Sequence, residues 1–166
     1  MSTELINLAE QVGKNLQQKG WLLATAESCT GGGVSQAVTE IAGSTAWFEC
    51  GFVTYSNASK TAMLDVPPAL LAQFGSVSEE VAAAMAEGAL TNSSAHIALS
   101  TTGIAGPTGA VPGKPVGTVC FGWSVTDGGS NRKTTHTERL VFAGDRAQVR
   151  EQTVVHALKG VLRFLV

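Results

Sequence analysis

A chain of 166 residues in which 44% are hydrophobic and 14% charged carries enough apolar material for one sizeable core, and it is the opposite of a disordered composition. Eleven Lys plus Arg against thirteen Asp plus Glu leave a formal charge of −2, so no global positive field draws the protein onto nucleic acid, and any anion must be held by a local site. No apolar run approaches the ~20 residues of a membrane span, and the N-terminus MSTELINLAEQVGK lacks the basic start and apolar stretch of a signal peptide; the expectation is one cytoplasmic domain over residues 1–166, with neither membrane nor nucleic-acid partners.

In chain order, Leu5, Leu8, Val12 and Leu16 recur every three or four residues and predict an amphipathic helix over 3–19, stopped by Gly20. WLLATAE reads as a buried strand, and GGVSQAVTEIAG as a short helix ending near Gly43. AWFECGFVTYS, rich in aromatic and β-branched residues, reads as a strand or hairpin with a bulge at Gly51. NASKTAMLDV follows as a short helix closed by Pro67 and Pro68. SVSEEVAAAMAEGAL opens with Ser76 three residues before Glu79, a capping-box spacing, and continues as an alanine-rich helix. AHIALSTTG is a candidate central strand. Residues 103–117, with five glycines and three prolines, form a long loop of the kind that is often functional. TVCFGWSVT and TTHTERLVF then predict an antiparallel hairpin turned at DGGSN. The final helix starts at Asp145, with Val149, Thr153, His156 and Val161 on its inner side.

This alternation of helices with nearly all-apolar strands predicts an α/β single-domain sandwich: a mixed, largely parallel sheet with helices on both faces. Ligands of such sheets lie outside the strand ends, so the glycine-rich connections attract attention. In TAESCTGGGVSQA, Ser28, Thr30 and glycines 31–33 sit where a strand passes into a helix, whose exposed N–H groups favour a phosphate or carboxylate. A plain helix cap with a glycine turn fits equally well, and the stretch is neither GxGxxG nor a Walker loop. Glu27 reads as an orienting acid, for a lysine or for the turn itself. In AGSTAWFECGFVTYSNASK, Ser44, Thr45, Tyr55 and Lys60 offer a hydroxyl, a phenol and an amine that becomes a base if its pKa falls; the bland alternative is turn, packing and surface residues. TTGIAGPTG again places hydroxyls beside closely spaced glycines, as an oxyanion hole, a phosphate loop or a wide turn would require.

Cys29, Cys50 and Cys120 are odd in number and scattered, which favours reduced thiols over a disulfide framework. Cys29 could be a nucleophile before a helix, or a small packing residue. His96, His136 and His156 show no metal-ligand spacing, so no metal is expected.

Taken together, TAESCTGG, AGSTAWFECGFVTYSNASK, SVSEEVAAAMAEGAL, TTGIAGPTG, KPVGTV and FAGDRAQVR resemble, in this order, the C-terminal domain family of the competence-damage-inducible protein CinA. The resemblance runs from about residue 4 to residue 160 and includes the family's stand-alone amidases. It implies a compact α/β fold, no cofactor, and hydrolysis of nicotinamide mononucleotide to nicotinate mononucleotide and ammonia in pyridine nucleotide salvage. It also implies a homo-oligomer with a small-molecule nucleotide as its partner. Carried onto this chain, the family's tyrosine and lysine fall on Tyr55 and Lys60, and its serine position, ten residues before the tyrosine, holds Thr45. Thr102 stands where active members resemble serine before glycine. The two departures leave open a non-catalytic nucleotide-binding paralogue, and Cys29 a thiol-dependent amidohydrolase. The expected mechanism has Lys60 accept the hydroxyl proton of Thr45, directly or through Tyr55. Backbone N–H groups at 102–106 or 28–33 would hold the oxyanion, at ~3 to 4 kcal/mol per well-placed donor. The expected substrate-binding set is Ser28, Thr30, Gly31, Gly32, Ser44, Thr102, Gly103, Gly106 and Arg146, with the phosphate at the helix starts 31–33 or 145–146.

Overall fold

The leucine and valine stripe at the N-terminus becomes the buried side of α1 (Thr3–Lys19), which is capped by the Ser2 side chain and ended by Gly20 in the left-handed region at φ 66°. A computed structural model describes residues 1–126 and 132–166, and the turn expected at DGGSN, residues 127–131, lies outside the described residues. After α1 come β1 (Leu23–Glu27), α2 (Gly33–Thr39), a single 3₁₀ turn (Ser44–Ala46), β2 (Phe48–Val53), α3 (Asn57–Leu64), α4 (Pro68–Phe74), α5 (Glu79–Thr91), β3 (Ile97–Gly103), β4 (Thr118–Thr126), β5 (Lys133–Val141) and α6 (Arg146–Leu162).

The five strands form one sheet in the order β2-β1-β3-β4-β5. β1 pairs parallel with both β2 and β3, whereas β4 is antiparallel to β3 and to β5. Four strands therefore point one way and only β4 opposes them, which is the mixed, largely parallel sheet the alternation predicts. Helices cover both faces, and side-chain size sorts them. Leu23, Ile97, Leu99, Phe121 and Trp123 project toward α1, α2 and α6, while Ala24, Ala26 and Ala98 project toward α3, α4 and α5. Alternation along each strand produces this division.

The small-residue face lets α5 lie close to the sheet. A Cβ at Gly122 would come within 2.5 Å of the Ala82 carbonyl, and Ser100 Oγ donates to that same carbonyl at 2.6 Å. On the other face the Trp123 indole donates to Ala157 O at 3.0 Å, and a Cβ at Gly160 would sit 2.1 Å from its ring. These contacts fix the separation of the layers around the central strands.

Several local expectations need correction. Of the two readings of AWFECGFVTYS the strand is the one that forms, as the single edge strand β2, and its register irregularity falls where Leu23 and Ala24 meet Phe48 and Cys50, not at Gly51. α3 is closed by Asp65, in the left-handed region at φ 57°, just ahead of Pro67 and Pro68; proline also suits a helix start, and the pair opens α4. α5 is capped by Ser78, whose side chain accepts from Val81 N, rather than by Ser76. On α6 the Asp145 capping box with Gln148 forms, and Val149, Thr153 and Val161 are buried, while His156 is half-buried with Nε2 2.7 Å from Glu138 Oε2. Among the described residues, no helix is long and apolar enough to cross a membrane.

Candidate active site

Alternation along β1 puts Ala24, Ala26 and then Ser28 on the side facing α3, and Thr25 and Glu27 on the side facing α2. Ser28 follows the last strand residue, and its N–H continues the ladder to Thr101 O at 2.9 Å. From the other side comes Lys60 of α3, a helix whose N-cap Ser56 accepts from Ser59 N. Lys60 and Leu64 form the inner stripe of that helix, and Lys60 is only 1% exposed. Helical side chains lean toward the helix N-terminus, and so the Lys60 amine reaches back over the segment that leads into α3.

There Nζ lies 3.1 Å from Ser28 Oγ, 3.0 Å from Thr54 O and 3.2 Å from Tyr55 O. Two of these partners are carbonyls, which only accept. A neutral amine has two N–H bonds for them, and its lone pair is then left for the third direction, toward the Ser28 hydroxyl. Burial pushes the Lys60 pKa below its ordinary value, against a smaller upward pull from Cys29, and so favours that neutral form.

Ser28, Cys29, Tyr55, Lys60, Ser76, Thr102 and Arg146 line a chamber of about 140 Å³ at the carboxyl ends of the parallel strands. A larger cavity of about 470 Å³ shares Tyr55, Ser76, Gly103, Ala105 and Arg146 with it, and extends along Gly106 to Lys114. Arg146 donates to Gly106 O at 2.8 Å and to the Tyr55 phenol at 3.3 Å. Tyr55 therefore meets Lys60 through its backbone carbonyl and Arg146 through its hydroxyl, with 65% of the residue exposed. Thr102 Oγ1 donates to Ser76 O at 2.6 Å, which ties the end of β3 to the start of α5.

Five expected positions, Thr45, Ser44, Thr30, Gly31 and Gly32, lie outside both cavities. Thr45 and Ser44 belong to the 3₁₀ turn before β2, beside the amino ends of the strands, because Phe48 pairs with Leu23 while Val53 pairs with Glu27. The six residues of β2, at about 3.3 Å each, separate them from the Lys60 chamber by roughly 20 Å. Thr30 turns to the other face, where its hydroxyl meets Thr101 Oγ1 at 2.8 Å. Gly31 and Gly32, at φ 60° and 98°, make the tight turn into α2. The anion at that helix start is the chain's own: Glu27 accepts from Val34 N at 2.8 Å and from Ser35 N at 3.0 Å. Ser35 Oγ adds a third bond at 2.8 Å. Arg150 clamps the loop by donating to Cys29 O and Thr30 O.

Cys29 borders the chamber, but burial pushes its thiol up to about 12, and a thiolate is disfavoured there. Among the described residues, no three His, Cys, Asp or Glu side chains group as metal ligands. Ser76 and Lys114 are site residues that sequence reasoning missed. Ser76 was hidden in the capping pattern SVSE, and Lys114 in the turn VPGK, where a lone cation between glycine and proline was the available signal.

The structure thus defines a three-layer α/β protein with a serine–lysine pair buried at the carboxyl ends of its parallel strands. The chain belongs to the CinA C-terminal domain family, whose model matches residues 5–165. It is 48% identical over 160 residues to the nicotinamide-nucleotide amidohydrolase PncC of Pseudomonas putida, an alignment that covers 96% of each chain. A protein of the same name in Escherichia coli is 50% identical over 157 residues, covering 95% of this chain and 92% of the relative. The crystal structure of the competence/damage inducible protein CihA from Agrobacterium tumefaciens superposes with a TM-score of 0.90 at 39% identity, covering 98% of this chain and 96% of that one.

Proposed function

We propose that this chain is a hydrolase that deamidates nicotinamide mononucleotide to nicotinate mononucleotide and ammonia, in pyridine nucleotide salvage. Relatives that share about half of its residues over nearly their full length carry the corresponding name. The observation that carries the chemistry is the 3.1 Å contact between Lys60 Nζ and Ser28 Oγ in a chamber large enough for an aromatic carboxamide but not for a whole nucleotide.

Ser28, rather than Thr45, is the nucleophile in this reading. Neutral Lys60 takes the Ser28 proton as Oγ attacks the carboxamide carbon, and the carbonyl oxygen becomes an oxyanion. We assign the oxyanion to backbone N–H groups of the chamber wall, at Cys29 and Ala105. The tetrahedral centre then collapses, the C–N bond breaks, and the proton on Lys60 leaves with ammonia. Water, deprotonated by Lys60, hydrolyses the resulting ester and regenerates Ser28. Tyr55 and Arg146 flank the entrance and position the substrate, and Thr102 shapes the chamber through Ser76. We place the reaction in the cytoplasm, where the three free thiols stay reduced. We also assign the protein to a homo-oligomer, for which the edge strands β2 and β5 offer pairing surfaces.

Ammonia release from nicotinamide mononucleotide is the direct test. Ser28→Ala and Lys60→Ala each lower kcat/KM by about 10³-fold or more with circular dichroism unchanged, while Thr45→Ala stays within about threefold of the parent. An inactive Thr45→Ala beside an active Ser28→Ala would return the nucleophile to Thr45.

A further inference from the structure

We infer that Lys114, together with Arg146, forms an anion subsite in the outer 470 Å³ cavity that binds the phosphomonoester of the substrate and sets its preference for a nucleotide over a nucleoside. This rests on the reaction proposed above, which demands a phosphate and leaves its location open.

The local sequence builds the platform. In VPGK, Pro112 and Gly113 occupy the two central turn positions, with Gly113 at φ 78°, and Val111 and Lys114 exchange backbone hydrogen bonds at 3.1 and 2.9 Å. Arg139 of β5 donates to Gly113 O and moors the turn to the sheet. Lys114 Nζ then donates to Phe74 O at 2.7 Å, which leaves two of its three N–H bonds for a ligand. Arg146 uses its two terminal nitrogens on Gly106 O and the Tyr55 phenol, and a guanidinium carries five donors.

Neither cation has a carboxylate within ion-pair distance among the described residues, and no acidic side chain lines the cavity they share. In a protein of net charge −2, two cations without a carboxylate partner on one cavity favour an anion there. The cavity also opens into the Ser28–Lys60 chamber through Tyr55, Ser76 and Arg146, so a carboxamide inside and a phosphate outside belong to one molecule. The alternative anion site at the start of α2 is closed by Glu27.

The experiment compares steady-state ammonia release from nicotinamide mononucleotide and from nicotinamide riboside for the wild type, Lys114→Gln and Lys114→Arg. Lys114→Gln lowers the mononucleotide-over-riboside ratio of kcat/KM about tenfold, mainly through KM, and Lys114→Arg restores most of it. Equal losses on both substrates, as a purely structural turn would give, overturn the subsite, and so does an unchanged ratio. Calorimetric titration with ribose 5-phosphate separates the two claims. If the wild type turns over neither amide, the reaction proposed above fails, while tighter binding of ribose 5-phosphate to the wild type than to Lys114→Gln still upholds the subsite. Equal binding to both proteins rejects it.

Discussion

At Lys60 the direction of the pKa shift and the geometry agree. Burial shifts Lys60 toward the neutral amine, and in that form the two backbone carbonyls take its N–H bonds and leave the lone pair for Ser28, 3.1 Å away. Only the deprotonated form is a base, so kcat/KM falls as pH drops through the depressed Lys60 value and is retained above it. The acidic limb of the profile for ammonia release is therefore expected below the ordinary lysine value of about 10.4, and a limb at that ordinary value would mean that the amine is not desolvated in the working enzyme. The thiols offer a second check at this scale. Burial raises all three thiols, Cys29 to about 12 and Cys120 to about 11, and of the three only Cys50 is half-exposed. Iodoacetamide at about pH 8 should mark Cys50 first in the folded protein, with Cys29 unlabelled and turnover intact. Rapid labelling of Cys29 with matching loss of activity would revive the thiol mechanism.

Between elements, close approach decides more than propensity. Gly88 lies inside α5, where alanine would gain about 1 kcal/mol of intrinsic helix stability. A Cβ there would fall 1.9 Å from the Leu64 carbonyl of α3, a backbone atom that no rotamer change can move. Gly88→Ala is therefore destabilising by at least about 2 kcal/mol on balance, measured as a shift in the urea midpoint. Because α3 carries Lys60, the same substitution should lower kcat/KM as well; a stabilised variant would mean that α3 and α5 are not in contact as described. This element also shows where pattern reading loses its grip. The alanine-rich run in SVSEEVAAAMAEGAL announces a helix, but whether Ser76 or Ser78 caps it depends on the chain path from α4, and here the Ser78 hydroxyl reaches Val81 N. Likewise, a proline pair ends one helix and begins the next with equal ease, so α4 could not be separated from a loop.

For the whole molecule, the sheet belongs to both cores at once. β1, β3 and β4 send large side chains to α1 and α6 and small ones to α5, so neither layer of helices holds its place without the other. All three tryptophans, Trp21, Trp47 and Trp123, lie on or against the larger core. Tryptophan fluorescence therefore reports that core, and far-ultraviolet circular dichroism reports every helix. The two signals should trace one coincident denaturant transition, and separated midpoints would divide the fold into independent layers.

Periodicity and composition by themselves determined the helices, the strands, their alternation and hence an α/β sandwich, because each element's pattern is a property of its own few residues. They also brought Lys60, Tyr55 and Ser28 into consideration as chemistry-bearing residues beside strand ends, while Arg146 entered only through the family resemblance and the phosphate it implies. Which hydroxyl faces the lysine was decided only in three dimensions. Thr45 and Ser28 are both hydroxyls near glycines, but register with β1 sends the first to the amino ends of the strands, while alternation along β1 turns the second toward α3. Lys114 joined the site for the same reason: 32 residues of sequence separate it from Arg146, and folding of the loop onto the sheet edge puts both cations around one cavity.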